Sequence, residues 1–132
     1  MRSKRSSAPL ATAYASAITS TIKSGCLTKA MLRAMQTLYS FRGHAATAGQ
    51  VAKKMGYRAH GGACLRIGSA GRVLANTLRI GPLWGDDPEA NWWSVIANEG
   101  APGKYFIWKM RDEVAEALES LDLVDRKRRS CT

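Results

Sequence analysis

HGGACLRIGSAGRVLANTLRI, residues 60–80, carries the strongest helical signal in the chain. Its apolar side chains recur at steps of three or four residues, which is the period of one helical face: Ala63, Ile67, Ala70, Leu74 and Leu78. Gly81 and Pro82 follow, a pair that is typical of a helix end. The stretch therefore predicts a helix that packs one face into the core and ends at Gly81.

The other side of this helix is basic. Arg66, Arg72 and Arg79 lie away from the centre of the apolar stripe, and no acidic residue separates them. Gly61 and Gly62 open the helix, where backbone N–H groups and the positive end of the helix dipole favour an anion such as a phosphate. A helix of this kind is typical of one that lies against nucleic acid, and a surface helix with solvated arginines is the alternative.

The charges of the chain are strongly segregated. Residues 1–85 contain thirteen Lys or Arg and no Asp or Glu, whereas residues 86–125 contain ten acids and three bases. A basic run follows at residues 126–129, and the net charge is +10. A surface of one sign favours a polyanionic partner such as nucleic acid. An anionic membrane is the competing partner, but it favours a basic helix with Trp or Phe on its apolar face, and the tryptophans lie elsewhere.

Length and composition indicate one soluble domain. A chain of 132 residues is long enough to bury a core without disulfides or metals. The sequence contains no run of about eighteen apolar residues, so no transmembrane helix is predicted. The first residues are too weakly apolar for a signal peptide, and the cytoplasm is therefore the expected location. The three cysteines match neither a zinc site nor a disulfide framework: Cys26, Cys64 and Cys131.

Two segments flank the predicted domain. Residues 1–26 are rich in Ser, Ala and Thr, and the pattern predicts either a helix from Pro9 to Lys23 or a flexible basic arm. Residues 125–132 are predicted to be a basic tail or linker. The domain itself is expected to span residues 27–124.

Two further helices precede residues 60–80. An apolar stripe predicts a helix over residues 27–41. Thr47 and Gln50 form the pattern of a capping box, which predicts a short helix that ends at Gly56 and carries Lys53 and Lys54. Helix, short helix and longer helix is the order found in helix-turn-helix and winged-helix domains.

The second half of the chain predicts a hairpin and a final helix. Residues 91–98 (NWWSVIAN) and 104–110 (KYFIWKM) are rich in strand-forming residues, and a Gly/Pro turn joins them. A stripe of Val114, Leu118 and Leu121 predicts the last helix. The predicted class is therefore α+β and winged-helix-like, with three to four N-terminal helices, an aromatic β-hairpin as the wing, and a C-terminal helix.

Aromatic side chains crowd this hairpin: Trp92, Trp93, Tyr105, Phe106 and Trp108. A two-stranded hairpin has one face to bury, so about half of these rings belong to the core. We expect the remaining rings to be exposed, where stacking on nucleic-acid bases is a natural use beside a basic helix.

The sequence lacks a recognisable catalytic constellation. It contains two histidines, no phosphate-binding Walker loop and no dinucleotide fingerprint, and the hairpin lacks the His and Asn pattern of HNH nucleases. Four acidic residues offer hard oxygen ligands for Mg²⁺: Asp86, Asp87, Glu89 and Glu99. They lie in a loop and a turn, where acidic side chains more often are simply solvated. We therefore predict no enzyme activity, no cofactor and no metal site.

Several short motifs carry a resemblance to a known family: TAxxVAxxMGY (47–57), HGGA (60–63), GRVL (71–74), WWSV (92–95) and YFIWKMR (105–111). The chain resembles, over residues 27–121, the N-terminal module of bacterial HNH-type, modification-dependent restriction endonucleases. The resemblance implies a module that reads methylated bases in double-stranded DNA, 5-methylcytosine or N6-methyladenine. It also implies a separate C-terminal nuclease domain as a partner, since this chain contains none.

The predicted site has two parts. The expected DNA-contacting residues are Lys53, Lys54, Arg58, His60, Gly61, Gly62, Arg66 and Arg72. The expected sources of a modified-base pocket are Trp92, Trp93, Tyr105 and Trp108. Two other functions stay open, namely a winged-helix transcriptional regulator that reads sequence and a phage or host protein-interaction module.

Overall fold

The computed structural model describes residues 9–83, 87, 91–100 and 106–124, with only the backbone of His60. Within these residues lie five α-helices and three strands: α1 (Ala11–Ser24), α2 (Lys29–Ser40), β1 (Ala45–Thr47), α3 (Ala48–Met55), α4 (His60–Leu78), β2 (Ala97–Glu99), β3 (Ile107–Met110) and α5 (Asp112–Ser120). Two short 3-10 helices lie at Arg42–His44 and Trp92–Val95. No helix in the described part is both long and apolar enough to cross a bilayer.

The structure places α4 at the centre of the fold. It packs against α1, α2, α3 and the 3-10 helix Trp92–Val95. The predicted stripe is the buried face, with Ile67 and Leu74 fully enclosed. The predicted end is wrong by two residues, because Arg79 adopts a left-handed conformation (φ +60°) and ends α4 before Gly81.

The N-terminal segment belongs to the same core. The predicted helix from Pro9 is confirmed as α1, and Tyr14 and Ile18 on it are fully buried. Because α1 packs against both α4 and α5, the boundary predicted at residue 27 is wrong for the described chain, and the flexible-arm alternative does not apply to residues 11–24.

The sheet is antiparallel, in the order β1-β3-β2. Ala46 pairs with Trp108 on one side of the central strand, and Ala97 pairs with Met110 on the other. The predicted hairpin is present as β2 and β3, but β1 was not predicted. Its three residues, Ala-Ala-Thr, carry no alternation of large apolar and polar side chains, so only the neighbouring strand reveals it.

The strand predicted over residues 91–98 is wrong for most of its length. Residues 92–95 form a 3-10 helix, and β2 begins only at Ala97. Hydrogen bonds from other elements hold this turn: Tyr14 Oη donates to the Val95 carbonyl at 2.6 Å, and Arg111 Nε donates to the Ser94 carbonyl at 2.7 Å. Tertiary partners of the backbone thus override the strand preference of the Trp and Val side chains.

Candidate nucleic-acid interface

The turn between α3 and α4 is defined by local contacts. The Thr47 hydroxyl accepts from the Gln50 N–H at 3.1 Å, and Gln50 Oε1 accepts from the Thr47 N–H at 2.8 Å, so the predicted capping box is confirmed. Gly56 ends α3 in a left-handed conformation (φ +87°). These contacts fix the angle at which α4 leaves α3.

Tyr57 packs its ring against the first turn of α4. A Cβ on Gly62 would lie 2.7 Å from Cδ2 of that ring, so a side chain at position 62 is excluded unless Tyr57 moves. Gly62 is therefore required for packing, a reason that the sequence did not show. Gly61 has open space around it and is exposed.

The start of α4 has no side-chain cap. Ala59 is its N-cap residue and makes no side-chain hydrogen bond, and the first turn contains no acid. The N–H groups of the first turn therefore lack the side-chain acceptor that a Ser, Thr or Asp would provide. The side chain of His60, a predicted contact residue, lies outside the described residues.

The outward face of α4 is made of two glycines, one leucine, one arginine and one asparagine. It consists of Gly61, Leu65, Gly68, Arg72 and Asn76, which recur at steps of three or four and lie opposite the buried stripe. Arg72 is exposed on this face, whereas Arg66 is half-buried at its side. Of the predicted arginines, Arg58 and Arg72 are thus the more accessible.

The two lysines of α3 differ in their surroundings. Both are exposed, but Lys54 Nζ donates to Ser40 Oγ at 2.7 Å and lies 4.8 Å from the centroid of the Phe41 ring. These contacts draw Lys54 towards α2. Lys53 is the clearer candidate for a phosphate contact because its side chain carries no such restraint in the described part of the structure.

Basic and acidic residues occupy different elements. In the described chain up to residue 83, every charged side chain is a Lys or Arg. The acids of the final helix lie on α5, which packs against α1, whereas α3 packs against α4. The Tyr39 hydroxyl donates to Glu119 of α5 at 2.7 Å, so one of those carboxylates is a structural acceptor. The α3–α4 surface therefore carries positive charge of its own.

The structure does not support all four of the aromatic residues predicted for the modified-base pocket. Trp108 is only 5% exposed and packs in the core, so its assignment to a pocket is wrong. Tyr105 lies outside the described residues. Trp92 is half-buried, and its indole Nε1 is buried without a hydrogen-bond partner in the described structure.

An aromatic pair that consists of the half-buried Trp93 and the exposed Phe106 lies beside β3. The rings of Trp93 and Phe106 meet edge to face, with centroids 5.0 Å apart, and Phe106 is 45% exposed. Phe106 was not among the residues predicted for the pocket. It lies just before β3, so the alternation of buried and exposed side chains along the strand, which buries Trp108, does not apply to it. This pair is the aromatic surface that the described part of the hairpin offers.

Arg111 is a supporting residue that the sequence did not reveal. It is buried, and loss of hydration lowers the pKa of its guanidinium. Tyr14 stands close to it, and burial raises the pKa of the Tyr14 hydroxyl. Together they hold the carbonyls of Ser94 and Val95, and so they fix Trp92 and Trp93 against α4.

No group of three or more His, Cys, Asp or Glu side chains is placed to hold a metal within the described residues. The predicted alternative of a Mg²⁺ site rests partly on Asp86 and Glu89, which lie outside those residues, and Asp87 is exposed. Among the free thiols, Cys64 is exposed on α4, and partial burial raises its pKa.

Comparison with protein families, curated proteins and solved structures finds no match for this chain. The interface is therefore defined by its geometry and charge.

Proposed function

We propose that this chain is a double-stranded DNA-binding module that reads a methylated base and has no nuclease activity of its own. The observation that carries the proposal is the outward face of α4, which is open to solvent and belongs to a stretch of the described chain, residues 9–83, whose charged side chains are all basic. Double-stranded DNA offers a regular array of phosphates to such a surface.

The connectivity supports this proposal. From α2 onwards the order is helix, strand, helix, helix, strand, strand, and the strand that follows the first helix pairs with the last strand. This order is compatible with the winged-helix-like fold that we propose. In helix-turn-helix proteins the second helix of the motif lies in the major groove, and we propose this role for α4.

The proposed contacts fall into two classes. Lys53 and Arg58, with Lys54 in support, contact phosphates, and the N–H groups of Gly61 and Gly62 bind a phosphate at the start of α4. Arg72 lies on the face that enters the groove, where an arginine pairs with the major-groove edge of guanine. Arg66, half-buried at the side of this face, completes the set together with His60, whose contact is proposed from the sequence.

Preference for a methylated base needs an apolar surface near the groove. The sequence resemblance to modification-dependent endonucleases implies this preference, and the Trp93–Phe106 pair on the hairpin is one candidate apolar surface for it. A nuclease domain that cuts the DNA is then a partner outside this chain, and a cytoplasmic location is part of the proposal.

A binding titration tests the proposed function. Matched duplexes that contain cytosine, 5-methylcytosine, adenine or N6-methyladenine are titrated at about 0.15 M salt, the physiological ionic strength. Tighter binding to one methylated duplex is the expected result. Sequence preference without methyl dependence would favour the transcriptional regulator instead. Weak binding that vanishes with salt and ignores sequence would favour the protein-interaction module.

A further inference from the structure

One exposed side chain on α4 has no structural role. Four large apolar side chains are exposed in the described residues: Leu10, Ile22, Leu65 and Phe106. Leu65 is 61% exposed and lies near the centre of the outward face of α4. An exposed leucine on a face that is otherwise formed by glycine, polar and basic residues gains nothing from folding, because its apolar surface stays in water.

Three of the four nearest neighbours of Leu65 on the surface of α4 are glycines, namely Gly61, Gly62 and Gly68, and the fourth is the small residue Ser69. Gly61 precedes it by four residues and Gly68 follows it by three, and a Cβ added to either would meet nothing within 4 Å. Leu65 is therefore the large apolar side chain of this face, and the glycines beside it leave the helix backbone accessible. A surface that approaches this part of the face meets the leucine side chain and the backbone next to it.

The basic residues near Leu65 indicate the kind of partner that this face binds. Arg72 follows on the same face, about 10 Å further along the axis at a rise of about 1.5 Å per residue. That separation is about three base-pair steps of 3.4 Å. A basic face with one apolar projection fits the DNA major groove, whose base edges are polar except for the methyl group at C5 of a pyrimidine.

We propose that Leu65 is a specificity-determining residue that contacts the C5-methyl group of a pyrimidine in the major groove. The inference rests on the proposed function, since it requires α4 to lie in DNA, and it moves the reading of the methyl group from the hairpin to α4. Thymine and 5-methylcytosine carry the same group at the same position, so both satisfy the chemistry. The base stays stacked, and no flipping is needed.

The test uses one mixed-sequence duplex pool copied in four forms. The forms combine thymine or uracil with cytosine or 5-methylcytosine, so that one form has no C5-methyl group at all. The wild-type protein should bind the methyl-free form least. Each methyl group buried against Leu65 should improve binding about fourfold, which corresponds to about 0.8 kcal/mol for a buried methylene-sized group. Comparison of the thymine and 5-methylcytosine forms shows which source of the methyl group is read.

Leu65→Ala should remove the difference in affinity between the four forms, because it should weaken binding most for the forms that carry C5-methyl groups. Leu10→Ala is the matched control, since it makes the same change at a leucine that is 75% exposed at the start of α1. It should keep the full methyl preference. Thermal melts of both variants should coincide with the wild type because neither side chain is buried.

Three outcomes would overturn the inference. If the wild type binds all four forms equally, DNA binding stands but no C5-methyl group is read. If the preference survives in Leu65→Ala and disappears in Phe106→Ala, the hairpin reads the methyl group. If no form is bound, the proposed function itself fails, and the inference about Leu65 fails with it.

Discussion

The carbonyl oxygen of Trp92 occupies the space that a Cβ on Gly71 would take. Gly71 is buried on α4, and Trp92 begins the 3-10 helix that leads into β2. The absence of a side chain at position 71 therefore lets the connection to the hairpin lie directly on the backbone of α4. This contact between backbones sets how closely the hairpin approaches α4, and the hydrogen bonds from Tyr14 and Arg111 hold the same turn.

Gly71→Ala should destabilise the fold. The new methyl group cannot enter without moving the Trp92 backbone, and overpacking of this kind costs about 1–3 kcal/mol of unfolding free energy. Gly68→Ala is the matched control on the same helix, because a Cβ there meets nothing within 4 Å. It should stabilise the protein by about 0.4–1 kcal/mol. Urea unfolding of the two variants measures both effects, and equal stabilities would contradict the close approach.

Tyr14 should make the fold sensitive to alkaline pH. Burial raises its pKa in the folded protein, whereas an unfolded tyrosine ionises near pH 10. Above about pH 10 the unfolded chain loses this proton and the folded chain keeps it, so stability should fall by about 1.4 kcal/mol per pH unit. Below that pH the contribution is fully present. Tyr14→Phe should lack this part of the slope, as measured by urea unfolding between neutral pH and about pH 11; identical slopes would refute the assignment.

Tyr14→Phe should also cost stability at neutral pH. The change removes the hydrogen bond to the Val95 carbonyl and leaves that buried acceptor without its donor. The expected loss is about 1–3 kcal/mol, the penalty for an unsatisfied buried group. The same variant should weaken any function of Trp93, since the 3-10 helix positions that side chain.

The salt dependence of binding should identify the DNA-facing surface. Each phosphate contact contributes a slope of about 0.9 in log affinity against log salt. Lys53→Ala should lower the slope by about that amount and weaken all duplexes alike. Glu116→Gln is the control because Glu116 is exposed on α5, away from α3. An equal change of slope in both variants would place the DNA elsewhere.

Alanine substitutions at Trp108 and Phe106 should differ in their effect on stability, because one side chain is buried and the other is exposed. Trp108→Ala should reduce the unfolding free energy by about 3–5 kcal/mol, as expected for loss of a buried aromatic side chain. Phe106→Ala should leave the melting temperature nearly unchanged, since this ring is almost half exposed. A large loss of stability in Phe106→Ala would mean that its contact with Trp93 is part of the core.

The chain should leave methylated plasmid DNA intact in Mg²⁺ or Mn²⁺. No catalytic step is assigned to any residue, so cleavage would contradict the proposed function. The decisive variant is Asp87→Asn, which removes an exposed carboxylate from the loop before the hairpin. Metal-dependent cleavage that this variant abolishes would make the chain an enzyme.

The helices were predictable because their determinants are local. The capping box of Thr47 and Gln50 acts within one turn, and the apolar period of residues 60–80 marks its own buried face. Both features follow from side chains three or four residues apart, which the sequence displays directly. The segregation of basic and acidic residues was likewise visible, since it is a property of the sequence order.

Tertiary structure decided what depends on distant partners. β1 exists because β3 pairs with it, and residues 92–95 turn because Tyr14 and Arg111 bind their carbonyls from far along the chain. The candidate site also depends on such distant contacts. The sequence alone could not show that Trp108 is buried or that Phe106 and Leu65 are exposed. Burial of a side chain is set by neighbours brought together only in the fold, whereas helical period and net charge are set by the chain itself.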